Sequence, residues 1–169
     1  MFAPYATGRL ALSIEQVGAA WSIYGAGLVL GALCAPAMIA RLPTGLMFVF
    51  GPILSGLGAV GLLALAAPGR LWPVWVCFFC VGFGPMTWLV LQTSVRQIVT
   101  PNALLGRVGS VITTAIYGVR PLGALLAGAV AAHYGSGGAL WLAVGLFVVS
   151  AAAILLSPAA RLRTMPKPA

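Results

Sequence analysis

No charged residue stands between Glu15 and Arg41, between Arg41 and Arg70, or between Arg70 and Arg96. At about 1.5 Å per helical residue, each interval is long enough to cross a hydrocarbon core of about 30 Å. Lipid offers no partner for exposed N–H and C=O groups, so a segment that crosses it must satisfy its own backbone hydrogen bonds as a helix. Composition agrees: of 169 residues, 62% are hydrophobic and 6% charged, against roughly a quarter charged in soluble domains. A soluble enzyme, a disordered tail and a disulfide scaffold are excluded. The fold class expected is all-α, a polytopic transmembrane helix bundle of about five spans.

Residues 1–14, MFAPYATGRLALS and Ile14, read as an N-terminal loop; they lack the basic start and continuous apolar core of a signal peptide. Ser13 followed by Gln16 forms a capping box, which predicts a helix start there. The membrane domain is expected over 15–160, with spans at about 15–40, 45–67, 71–99, 107–134 and 139–157. Arg41 to Thr44 form a tight turn, Pro68 to Arg70 end the second run, and Trp72 with Trp75 suit a membrane interface. Thr100 before Pro101 marks a helix start, and Gly135 to Gly138 separate the last two runs. Residues 161–169 form a basic tail.

The net charge of +8 comes from cations dispersed singly at helix ends, not from a basic stripe, so no nucleic-acid partner is indicated. Their use is topological. Across five spans Arg9 and Arg70 fall on one side, and Arg41, Arg96, Arg107, Arg161, Arg163 and Lys167 on the other. The positive-inside rule makes the second side cytoplasmic, with the N-terminus outside and the C-terminus in the cytoplasm. Cys34, Cys77 and Cys80 all lie in apolar runs; the Cys77/Cys80 CxxC has no neighbouring charge to activate a thiol and is read as buried packing. No metal site, cofactor motif, Ser/His/acid set or phosphate loop is present, so no enzyme is expected.

Tyr24-Gly25 followed by Gly31-Ala32-Leu33 in the first span is echoed by Tyr117-Gly118 followed by Gly123-Ala124-Leu125 in the fourth. In the topology above these spans run in opposite directions, as inverted repeats do, which implies a three-helix unit with one helix before residue 1. The stretch from Leu91 to Gly128, LQTSVRQIVTPNALLGRVGSVITTAIYGVRPLGALLAG, resembles the tenth and eleventh helices and intervening loop of major facilitator superfamily transporters, in the efflux branch of enterobactin and macrolide exporters. Its most specific part is the Arg96 to Arg107 loop with the RPLGALLAG run.

By that resemblance the five spans correspond to the family's eighth to twelfth helices, and MFAPYATGRLALS to the end of its seventh plus the following loop. The fold implied is the C-terminal half of the major facilitator fold. The function implied is that of a C-terminal segment of an efflux-type secondary transporter. Such a transporter moves a small organic molecule of the drug or siderophore class across the bacterial inner membrane by alternating access, and this segment would be incomplete alone. Its partners would be membrane lipid, a missing N-terminal transporter half and the small-molecule substrate. The departures are that nothing matches the family's N-terminal half, and that IARLPTG keeps Arg41 but no acid. The only carboxylate side chain, Glu15, lies at a helix start, so any embedded proton-coupling acid must come from elsewhere. The alternative is a stand-alone, non-transporting membrane protein or an inactive truncated product.

Arg120 is the leading site candidate. It stands near the middle of the run from Val108 to Tyr134, where an Arg costs about 2.5–3.5 kcal/mol on insertion scales. The nine Leu, Ile and Val residues of that run return about 3–5 kcal/mol, so insertion is nearly balanced. Three roles are open for Arg120: bonding carbonyls freed by Pro121 or snorkelling, facing a transport cavity, or pairing with an acid in the missing half. Trp21, Tyr24, Thr87, Trp88, Gln92, Thr93 and Tyr117 are candidates to line the cavity, each equally able to make an interhelical contact. Gly27 with Gly31 and Gly123 with Ala127 form small-xxx-small faces expected to pack helices. His133, near a span end, is read as interfacial.

Overall fold

A computed structural model describes residues 2–67, 70–162 and 164–165. About nine-tenths of the chain is helical, and the described residues contain no strand. A short helix α1 (Phe2–Arg9) precedes α2 (Ile14–Arg41), α3 (Thr44–Leu65), α4 (Trp72–Val99) and α5 (Leu105–Leu156), with 3-10 turns at Asn102–Leu104 and Pro158–Arg161. Four helices, α2 to α5, are long and apolar enough to cross a membrane. The protein is a multi-pass helical membrane protein.

Local chemistry sets most boundaries. Ser13 Oγ accepts from the Gln16 N–H at 3.3 Å, and Gln16 Oε1 accepts from the Ser13 N–H at 2.9 Å, so the capping box opens α2 at Ile14. Helix α3 stops at Leu65, two residues short of the expected Ala67, because the residue before Pro68 is pushed out of helical conformation. Pro73 lies in the first turn of α4, where its missing N–H has no intrahelical partner to lose. Prolines 36, 52, 85 and 121 lie inside helices that continue through them, as membrane helices tolerate.

Residues 2–9, expected as loop, are helical. The sequence FAPYATGR has little helix propensity of its own; burial organises it, since Tyr5, Ala6 and Leu10 enter a core with Leu12, Ala20, Leu62, Val74, Cys77 and Phe78. A turn follows in which Ala11 takes φ +51° and the Leu12 N–H donates to the Ala6 carbonyl at 3.0 Å.

Helix α5 has 52 residues, about 78 Å if straight, more than twice a bilayer core. It is broken at Gly135, whose φ of 73° and ψ of 176° are open to glycine at little cost. The break is narrower than the expected Gly135 to Gly138 separator, because residues 136–138 remain helical. The arms 105–134 and 136–156 fold toward one another there. A methyl at Gly138 would stand 3.6 Å from Val130 Cγ1, although eight residues of continuous helix span about 12 Å.

Helix α4 is the axis of the bundle, packed between α2 and α3, which barely meet. Glycines set the spacing. A methyl at Gly27 would stand 2.6 Å from the Phe79 carbonyl oxygen, and one at Gly31 2.8 Å from that of Phe83. Gly82 presses in return on the Tyr24 carbonyl. On the other side Gly51 and Gly84 approach reciprocally, a methyl on either falling within 2.8 Å of the other's carbonyl oxygen. Two fully buried hydroxyls at this contact are satisfied inside their own helices: Ser55 donates to the Gly51 carbonyl at 3.0 Å and Thr87 to that of Gly84 at 2.8 Å.

The arm 136–156 packs on α3, and the 3-10 turn after it returns to the start of α3, where the Gly45 N–H donates to the Leu162 carbonyl at 2.7 Å. The turn after Arg41 and the start of the C-terminal tail therefore share one end of the bundle. Helix α1 and the connection before Trp72 share the other, through the core that joins Tyr5 and Leu12 to Leu62, Ala66 and Leu71. Arg163 and Lys167 lie outside the described residues.

Candidate functional site

Trp21 and Tyr24 lie one turn apart on α2, edge to face with ring centroids 5.6 Å apart, and Trp21 meets Phe78 of α4 in the same manner at 5.7 Å. They wall a half-open cavity of about 290 Å³ between α2, α3, α4 and the arm 136–156, lined also by Gly58, Leu62, Cys77, Leu140 and Phe147. The lining is apolar and aromatic, suited to an apolar ring or a short alkyl group. Its volume is at the small end of the range for small-molecule pockets. Cys77 is buried here and Cys80, one turn on, is half-buried; both are free thiols.

Trp88 and Gln92 form a second group on α4, farther along. A cavity of about 170 Å³ beside Trp88 is lined by Gly51, Pro52, Ser55, Pro85, Phe147 and Ser150. The indole Nε1 of Trp88 and Oε1 of Gln92 are both buried without a hydrogen-bond partner. A donor and an acceptor one turn apart and unpaired are costly in a low-dielectric interior, about 1–3 kcal/mol each. Thr93 is half-buried near this level, and Thr87 is wholly buried with its hydroxyl already used.

The third group is Tyr117 and Arg120, on the arm 105–134. Both are exposed, and the guanidinium carbon lies 4.6 Å from the Tyr117 ring centroid one turn earlier, a cation–π contact within the helix. Along 111–126 only Ile112 is even partly buried.

The candidate residues, expected to line one cavity, are thus dispersed over three places. Phe78 and Trp88 are ten residues apart on one helix, about 15 Å along its axis, so the Trp21/Tyr24 group and the Trp88/Gln92 group occupy different levels. Tyr117 and Arg120 join neither, because their arm leaves the bundle beyond the Gly135 break. The two small-residue faces also part company: Gly27 and Gly31 hold α2 against α4, whereas a methyl at Gly123 would meet nothing within 4 Å and Ala127 is only half-buried. The expected packing role of Gly123 and Ala127 therefore finds no partner among the described residues. His133 is exposed.

Phe78 and Phe147 were not singled out in the sequence, yet the first completes the aromatic wall and the second lines both cavities. Phe78 sits one turn from Trp75 in a run of aromatics and offers no distinguishing signal. The position of Phe147 depends on the arm 136–156 folding back onto α3. Among the described residues no group of His, Cys, Asp or Glu is placed to hold a metal ion. Comparison with family models, curated proteins and solved structures finds no match.

Proposed function

We propose that this chain is one part of an efflux-type secondary transporter of the bacterial cytoplasmic membrane, similar to the C-terminal portion of a major facilitator, moving a small organic molecule by alternating access. In this reading α2, α3, α4 and the two arms of α5 make five crossings. The end carrying Arg41, Arg96 and the tail faces the cytoplasm, following the excess of cations there. The observation that carries the proposal is the aromatic cavity of Trp21, Tyr24 and Phe78, a half-open apolar space of small-molecule size lined by four helices of a membrane protein. The unpaired Trp88 indole and Gln92 carbonyl lend it polar groups that a substrate could engage at a second level. A second wall, from a separate membrane segment, is required for alternating access.

The second reading, a non-transporting membrane protein, draws on the spans' carrying a single carboxylate side chain, Glu15, in the first turn of α2. Efflux of a fluorescent substrate from an exporter-deficient bacterium separates the two. The chain together with the segment encoded upstream in its reading region should lower accumulation of the substrate, with the effect abolished by an uncoupler; the chain alone should not. Unchanged accumulation in both cases would overturn the transport reading.

A further inference from the structure

We propose that the arm 105–134 is a docking surface for a second transmembrane helix that carries an Asp or Glu at mid-membrane depth, paired there with Arg120. The inference starts from position. Fourteen or fifteen helical residues separate Arg120 from either end of the arm, about 21 Å along the axis in each direction. In a hydrocarbon core of about 30 Å centred on the arm, Arg120 lies about 15 Å from either face, a depth at which an unpaired cation is costly. The guanidinium has no carboxylate to meet in this chain, whose single acid, Glu15, opens α2 at its first turn. Among the described residues it meets the face of Tyr117, which supplies no acceptor in line with most of its N–H donors.

The shape of the surrounding face fits a helix. On the side that bears Arg120, helical spacing brings up the small residues Gly109, Thr113, Gly123, Ala124 and Ala127, interrupted by Ile116 and Tyr117 one turn before the charge. Where α2, α3 and α4 meet, at Gly27, Gly31, Gly51, Gly58, Gly82 and Gly84, a neighbouring backbone lies against the glycine, while Gly18 and Gly25 on α2 are open. At Gly106, Gly109 and Gly123, on the Arg120 side of the arm, nothing lies within 4 Å of where a methyl would be. An exposed helix face with a cation at its centre, at a depth where water is absent, is complementary to a helix bearing one carboxylate at the same depth. A second copy of this chain does not supply that carboxylate, because Glu15 lies at a membrane boundary. The proposal is independent of whether the chain transports: peptide pairing with no export would sink the transport reading alone.

The test uses the full chain, acceptor-labelled on its C-terminal tail, in phosphatidylcholine vesicles. The probe is a donor-labelled transmembrane peptide of Leu and Ala with one central Glu, compared with otherwise identical Gln and Lys peptides. The Glu peptide should reach half-maximal energy transfer at a peptide-to-lipid ratio at least tenfold lower than the Gln peptide. Arg120→Gln should abolish that preference, and Arg120→Glu should transfer it to the Lys peptide. Because Arg120 is exposed, both variants should keep the wild-type tryptophan emission, which checks that they fold. Equal binding of the Glu and Gln peptides, persistence of the preference in Arg120→Gln, or self-association of the chain that excludes both peptides would overturn the proposal.

Discussion

Replacing Gly27 and Gly31 together by alanine should force α2 away from α4, and the structure gives the scale. The added methyls would stand 2.6 Å and 2.8 Å from the carbonyl oxygens of Phe79 and Phe83, where ordinary contact begins at 3.4 Å. Both obstacles are main chain, so no rotamer change relieves them, and the two helices must part by about half an ångström or more along their closest line. Overpacking of this kind costs about 1–3 kcal/mol per site. Opposing it is the better helix propensity of alanine, worth up to about 1 kcal/mol per site.

A control removes that second effect. Gly118→Ala with Gly123→Ala gains the same propensity at positions where no atom lies within 4 Å. The two double variants should therefore differ by the steric contribution alone, about 2–6 kcal/mol. For a chain of this size that corresponds to a difference of roughly 4–24 °C in unfolding temperature. Purified protein in a mild detergent, heated while its tryptophan emission is followed, provides the measurement. Equal transition temperatures for the two double variants would show that Gly27 and Gly31 do not set the α2–α4 distance, and the glycine-spaced bundle would have to be abandoned.

Ser13→Ala removes one half of a closed capping box and should cost about 1 kcal/mol, while Ser13→Asp should not; the same thermal measurement decides. Gly135→Ala places a side chain at φ +73°, a strain of order 1 kcal/mol or more. Cysteines placed at 130 and 138 should cross-link less readily in that variant than in the wild-type background, and an unchanged yield would mean the break does not depend on glycine. Reporter fusions after residues 70 and 164 should report opposite compartments, and a shared compartment would refute the five-crossing topology. Arg120→Ala removes an insertion cost of about 2.5–3.5 kcal/mol, so membrane abundance should hold while export by the complete transporter falls; normal export at normal abundance would make Arg120 dispensable.

What the residues alone determined is the part of the structure governed by local physics. Intervals without charge marked the membrane class and the helices α2, α3 and α4, because any other backbone arrangement would leave its polar groups unpaired in lipid. Ser13 and Gln16 fixed the start of α2, because a cap is completed within four residues, and Pro68 fixed where α3 could no longer continue. The helical nature of Phe2–Arg9 was not legible, because it depends on Tyr5, Ala6 and Leu10 finding a core assembled from α2, α3 and α4.

Only the tertiary structure decided which helices meet. In water an apolar stripe reveals the buried face, but in lipid every face is apolar and the stripe loses its meaning. Hence Gly27/Gly31 and Gly123/Ala127 read alike in the sequence although one pair is clamped and the other open. Hence also the dispersal of Trp21, Trp88 and Arg120, and the arrival of Phe147 beside both cavities. Close approach of two backbones is a property of a pair of surfaces, and a single strip of sequence carries only one of them.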